Sequence, residues 1–85
     1  MKHATAAALD RIESILKELR RFDQIHEKKR GVFYRKSSAF VHFHEDPAGM
    51  FADVRGDNDW VRVRVNTVSD RRKLMRLVAK ILRAK

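Results

Sequence analysis

Residues 40–46, Phe40-Val41-His42-Phe43-His44-Glu45-Asp46, read as a strand with two unlike faces. Successive side chains on a strand point to opposite sides. Val41 and Phe43 therefore share one face, and Phe40, His42 and His44 the other. The first face is apolar and requires a core. The second carries a phenyl ring and two imidazoles, an unusual set for a plain solvated surface. Specific binding is expected on that second face.

The turns beside this strand extend it into a sheet. Asp46-Pro47-Ala48-Gly49 has Asp first, Pro second and Gly fourth, the order a tight turn favours. Ser37-Ser38 is a shorter turn upstream, and Gly56-Asp57-Asn58-Asp59 follows the next strand. Strands are expected over 32–36, 39–45, 50–55 and 60–66. Short connections between consecutive strands imply an antiparallel meander.

Helices flank the meander. Ala8, Leu9, Ile12, Ile15, Leu16, Leu19 and Phe22 recur at steps of three and four, which predicts one amphipathic helix over 6–29. Thr5 suits its N-cap, and Gly31 suits a left-handed C-terminal stop. Leu74, Leu77, Val78, Ile81 and Leu82 form a second stripe. It follows Thr67-Val68-Ser69-Asp70, a capping box with Thr67 as N-cap and Asp70 facing back. The expected fold class is α+β. It is a two-layer sandwich, α-β-β-β-β-α, in which a four-stranded antiparallel meander carries both helices on one face. The 85 residues are read as a single domain.

The apolar pattern also predicts the register, because a slip of one residue turns a strand over. The sets Val32/Tyr34, Ala39/Val41/Phe43, Met50/Ala52/Val54 and Val61/Val63/Val65 share one side only if every turn has an even number of residues. An odd turn at 46–49, with Gly49 as a bulge, would drive Asp53 into the core beside Phe43. Burial of an unpaired carboxylate argues against it. The even register predicts three rows on the open face: Arg35, Phe40, Arg55, Trp60; Phe33, His42, Asp53, Arg62; and His44, Phe51, Arg64. Cations alternate with rings in the first and third rows, and Asp53 lies between His42 and Arg62. That carboxylate is expected to raise the pKa of His42, with Arg62 opposing the shift.

Composition narrows the classes of function. A hydrophobic share of 44% without low-complexity tracts argues for a globular chain. No apolar run approaches a membrane span, and the alanine-rich start runs into Asp10, Arg11 and Glu13 rather than a secretory signal. Cysteine is absent, which excludes disulfides and cysteine-ligated zinc. A cytoplasmic location is expected, with no membrane contact. The net charge of +9 is uneven: residues 66–85 hold seven Lys/Arg against one acid, while residues 31–65 balance at five each. Such a chain is drawn to polyanions.

Three binding readings follow. Phe40, Phe51 and Trp60, with Phe33, would form an apolar patch suited to a second copy of the chain, and a homodimer is expected first. The same rings, with Arg55, Arg62 and Arg64, could instead stack bases and meet phosphates. Arg72, Lys73, Arg76, Lys80 and Arg83 of the C-terminal helix would add phosphate contacts. Finally, His42 and His44, two apart on a strand, with Asp53 nearby, have a spacing metals use. Three arginines around them oppose a dication. No nucleophile elbow, P-loop or HExxH pattern occurs, so a non-enzymatic module without a cofactor is expected.

The run Ala39-Phe40-Val41-His42-Phe43-His44-Glu45-Asp46-Pro47-Ala48-Gly49-Met50-Phe51-Ala52-Asp53-Val54-Arg55 resembles one in small uncharacterised bacterial proteins. They share an F-x-H-F-H strand, a turn and a FADVR-like strand. The resemblance covers about a fifth of the chain and implies no activity.

Overall fold

The computed structural model describes residues 2–83. The elements are β1 (Lys2–His3), α1 (Ala6–Arg11), α2 (Glu13–Leu19), β2 (His26–Lys29), β3 (Val32–Arg35), β4 (Ser38–Asp46), β5 (Gly49–Arg55), β6 (Trp60–Arg64) and α3 (Val68–Arg83). The chain is α+β, with an open antiparallel sheet in the order β2-β3-β4-β5-β6. Strand β1 pairs separately with β4, through Lys2↔Glu45 and His3↔His44. No helix among the described residues is long and apolar enough to cross a membrane.

The first helix departs from the expected 6–29 span. It breaks at Ile12, which caps α1 and starts α2 with φ −115° and ψ 21°. It then stops at Leu19, and His26–Lys29 is a strand instead. The His-Glu-Lys-Lys run has no apolar alternation, so its strand character comes from pairing. His26 faces Tyr34 and Glu27 faces Phe33 across a hairpin. Gly31 is not a helix stop but the turn residue of that hairpin, at φ 83°. Lysines on such an edge strand discourage further pairing. Arg20 holds the new path together by donating to both Glu13 and Glu27. Arg30 bridges to Glu13 at 2.8 Å and to Asp10 at 2.9 Å. Hydrogen bonds from Arg30 and Arg20 hold the Glu13 carboxyl down at about 2.

Both helix starts follow the predicted chemistry. The Thr5 hydroxyl accepts from Ala8 N at 3.2 Å. Thr67 and Asp70 form the reciprocal capping box, Asp70 N donating to Thr67 Oγ1 at 3.0 Å and Thr67 N to Asp70 Oδ2 at 3.2 Å.

The register holds from β4 to β6 and changes between β3 and β4. His42↔Asp53, His44↔Phe51, Asp53↔Arg62, Arg55↔Trp60 and Phe51↔Arg64 are all paired. The β4–β5 turn is Pro47-Ala48, with Asp46 opposite Gly49, so its loop is even. The first turn is Lys36-Ser37 rather than Ser37-Ser38, with Lys36 in the left-handed region at φ 58°. The β3–β4 ladder then steps from Phe33↔Val41 to Tyr34↔Ala39. Phe40 is the extra residue of a β-bulge there. Phe33 and Phe40 are therefore core residues, 0% and 2% exposed. Their expected place on the open face is corrected, and Val32, not Phe33, stands opposite His42. The physical reason is burial: taking a phenylalanine out of water contributes about 1.5–3 kcal/mol. The plain alternating register would leave both rings in solvent.

One apolar cluster joins the helices to the sheet. Leu9, Ile12, Ile15, Leu16 and Leu19 meet Leu74, Val78 and Leu82 of α3 and Val41, Phe43, Ala52 and Val54 of the strands. Leu77 and Ile81 pack at its margin, half-buried. Val61, expected in the core, is 42% exposed on the edge strand β6.

Candidate functional site on the outer sheet face

Strands β4 and β5 aim His42, His44 and Asp53 to the side of the sheet opposite Val41, Phe43 and Val54. The three side chains place one donor atom each within 4.8 Å of the others. Asp53 is buried, at 7% exposed. It is a buried charge with its partners at hand. Arg62 Nε donates to Asp53 Oδ1 at 2.9 Å and Arg62 Nη2 to Oδ2 at 3.1 Å. His44 Nε2 stands 3.0 Å from Asp53 Oδ2, within ion-pair reach if protonated, but makes no hydrogen bond. His42 Nδ1 is likewise buried without a hydrogen-bond partner.

These contacts set the charges. The hydrogen bond from Arg62 holds the Asp53 carboxyl below the usual aspartate range, against the opposing effect of burial. Burial pushes the His42 imidazole down, and the neighbouring His44 adds to the shift. The expected rise is thus reversed: desolvation outweighs the attraction of Asp53, and His42 favours its neutral form.

Aromatic and cationic groups frame the cluster. Trp60 meets the His42 ring edge-on, with centroids 4.8 Å apart. Arg55 lies over Trp60 at 4.8 Å and Arg64 over Phe51 at 5.5 Å. His42, Asp53, Trp60 and Arg62 line a shallow hollow of about 290 Å³. Of the open-face residues expected from the sequence, Phe33 and Phe40 are elsewhere, in the core. The sequence reading missed His3. Strand β1 brings its ring to 5.6 Å from that of His44 and 6.3 Å from that of His42. No local signal marks a two-residue strand whose partner lies far along the chain.

The basic helix is a separate surface. Arg72, Lys73, Arg76, Lys80 and Arg83 are all exposed. None of the five forms an ion pair among the described residues. Arg71 alone turns inward, toward Ser14 Oγ and the Arg11 carbonyl at 3.4 Å each. Arg20 and Arg30, by contrast, are tied to acids on the other helices.

No protein-family model, curated protein or solved structure matches the chain.

Proposed function

We propose that the protein is a non-enzymatic binding module for the phosphate backbone of nucleic acid, and that α3 is its contact surface. The observation that carries this reading is the row of five exposed cations on one helix, none in an ion pair among the described residues. Arg72, Arg76, Lys80 and Arg83 follow one another at helical steps of four, four and three. They form a stripe about 16 Å long at 1.5 Å per residue. A linear row of cations binds a linear polyanion by releasing its condensed counterions. Arg55, Arg62 and Arg64 give the outer sheet face the same sign of charge.

The second-copy reading has less support. Phe33 and Phe40 are buried, and the two remaining rings, Phe51 and Trp60, lie under Arg64 and Arg55. Two such faces would meet arginine against arginine. Like charges brought together oppose pairing.

The test is fluorescence anisotropy with a mixed-sequence duplex and a mixed-sequence single strand across a potassium chloride series. Binding in the range of about 1–100 μM, falling steeply with salt, is expected. Replacing Arg76 and Arg83 together by alanine should weaken binding and flatten the logarithmic salt slope by up to about 2 units. Binding that ignores salt, or a double variant that behaves like the parent, rejects this reading. Sedimentation of the same two proteins measures the dimer independently, since neither side chain lies on the sheet.

A further inference from the structure

The geometry points to a divalent zinc site on the outer sheet face, with His42, His44 and Asp53 as its three protein ligands. The proposal is independent of α3 and of nucleic acid.

Four observations meet at this place. The donor set is two imidazoles and one carboxylate, a combination that zinc accepts with water in the fourth position. The three donor atoms already lie within 4.8 Å of one another. Two donors on one zinc ion at about 2.0–2.1 Å, in tetrahedral arrangement, stand about 3.3 Å apart. His44 Nε2 and Asp53 Oδ2 are 3.0 Å apart, close to that bite.

The second observation is the state of the imidazole nitrogens. His42 Nδ1 and His44 Nε2 are both buried and make no hydrogen bond. Buried polar atoms normally have hydrogen-bond partners; His42 Nδ1 has none and His44 Nε2 has only its 3.0 Å approach to Asp53 Oδ2, outside hydrogen-bond geometry, which is a cost to the fold. A cation between them satisfies both lone pairs at once.

The third is access. The 290 Å³ hollow lined by His42, Asp53, Trp60 and Arg62 brings solvent to the His42 and Asp53 side of the site, from which an ion would approach. The fourth is rigidity. His42 and His44 sit on the central strand β4, and Asp53 is paired directly opposite His42 on β5. A sheet holds such ligands more closely than a loop does.

Arg62 is the competitor. Its guanidinium occupies both Asp53 oxygens, and its charge opposes a dication. Its side chain is 53% exposed, so it can withdraw into solvent without opening the core. Zinc and Arg62 therefore contend for one carboxylate. This gives the proposal a signature that ordinary loss of structure cannot imitate.

The experiment is calorimetric titration of the chelator-treated protein with zinc chloride. It is repeated on His42→Gln, His44→Gln, Asp53→Asn, Arg62→Gln and, as a control, His26→Gln, a histidine at the far edge strand. Emission from Trp60, the only tryptophan in the chain, reports on the His42 side of the site. One zinc per chain is expected, with a change in Trp60 emission that saturates at the same ratio. Loss of either imidazole should lower affinity by at least about tenfold, as should loss of the Asp53 charge. Arg62→Gln should raise affinity severalfold, and His26→Gln should leave it alone. Absence of saturable binding overturns the site. So does binding that survives both His42→Gln and His44→Gln, or that fails to strengthen in Arg62→Gln. Circular dichroism of each variant separates a lost ligand from a lost fold. The Arg62→Gln arm decides the matter even if a histidine variant unfolds.

Discussion

Asp53 and Arg62 stand directly opposite each other on β5 and β6 and share two hydrogen bonds, at 2.9 and 3.1 Å. The pairing lets a carboxylate lie nearly buried on a sheet face without entering the core. It also couples stability to acid. The folded-state pKa of Asp53 is below its ordinary value. Its contribution is therefore complete above the unfolded pKa of about 3.9 and is lost as pH falls through the lower folded value. Asp53→Asn should lower the melting temperature at pH 7 and cost progressively less below pH 4. An equal loss at pH 7 and pH 2.5 would mean that the charge contributes nothing.

His42 predicts a second pH window. Burial lowers its folded pKa, so the unfolded chain takes up the proton first as pH falls below about 6.5. The native state then loses stability until the folded pKa is passed. Melting temperature should drop between pH 7.5 and 5.5, and the drop should shrink in His42→Gln. Parallel curves for the two proteins would place the titration on another group.

The bulge at Phe40 makes a mechanical prediction. Phe40→Ala should destabilise by about 3–5 kcal/mol in urea unfolding, the cost of truncating a buried aromatic. Val61→Ala, on the partly open edge, should cost less than about 1 kcal/mol. A small loss for Phe40 would return its ring to the solvent side.

Gly31 tests the hairpin that replaces the end of the expected helix. Its φ of 83° is left-handed, and a Cβ there would lie 2.7 Å from Leu9 Cδ2. Gly31→Ala should cost at least about 1–2 kcal/mol from the backbone alone. A neutral result would show that the turn relaxes to another conformation.

The parts legible in the sequence are those governed by local pattern. Thr67 and Asp70 announce a cap, and the parity of 46–49 and 56–59 places Asp53 beside His42 and Arg62. The unread parts depend on distant partners. His26-Glu-Lys-Lys29 has a strand's shape only because Val32–Arg35 pairs with it. The helical period of Ile12, Ile15, Leu16 and Leu19 continues formally to Phe22, but tertiary contacts end the helix sooner. Phe33 and Phe40 reverse their faces together, through one shifted turn and one bulge. The bulge breaks the alternation of β4, putting adjacent Phe40 and Val41 both in the core, and neither change leaves a mark on residue type.

Strand β4 is the common neighbour of β1, β3 and β5, and its partners lie at very different distances along the chain. The hairpins from β2 to β6 join segments adjacent in the chain, and contacts so local carry a small loop-closure cost. Strand β1 must instead find residues about forty positions away, at a loop-closure cost the hairpins do not meet. It is held by two residue pairs and by Ala4 N donating to the Phe43 carbonyl at 3.3 Å. His3 therefore meets His44 through the pairing with the longest chain segment to close in the sheet. The imidazole cluster thus joins two rings of one strand, His42 and His44 on β4, to a third carried in from the far end of the chain, His3 on β1.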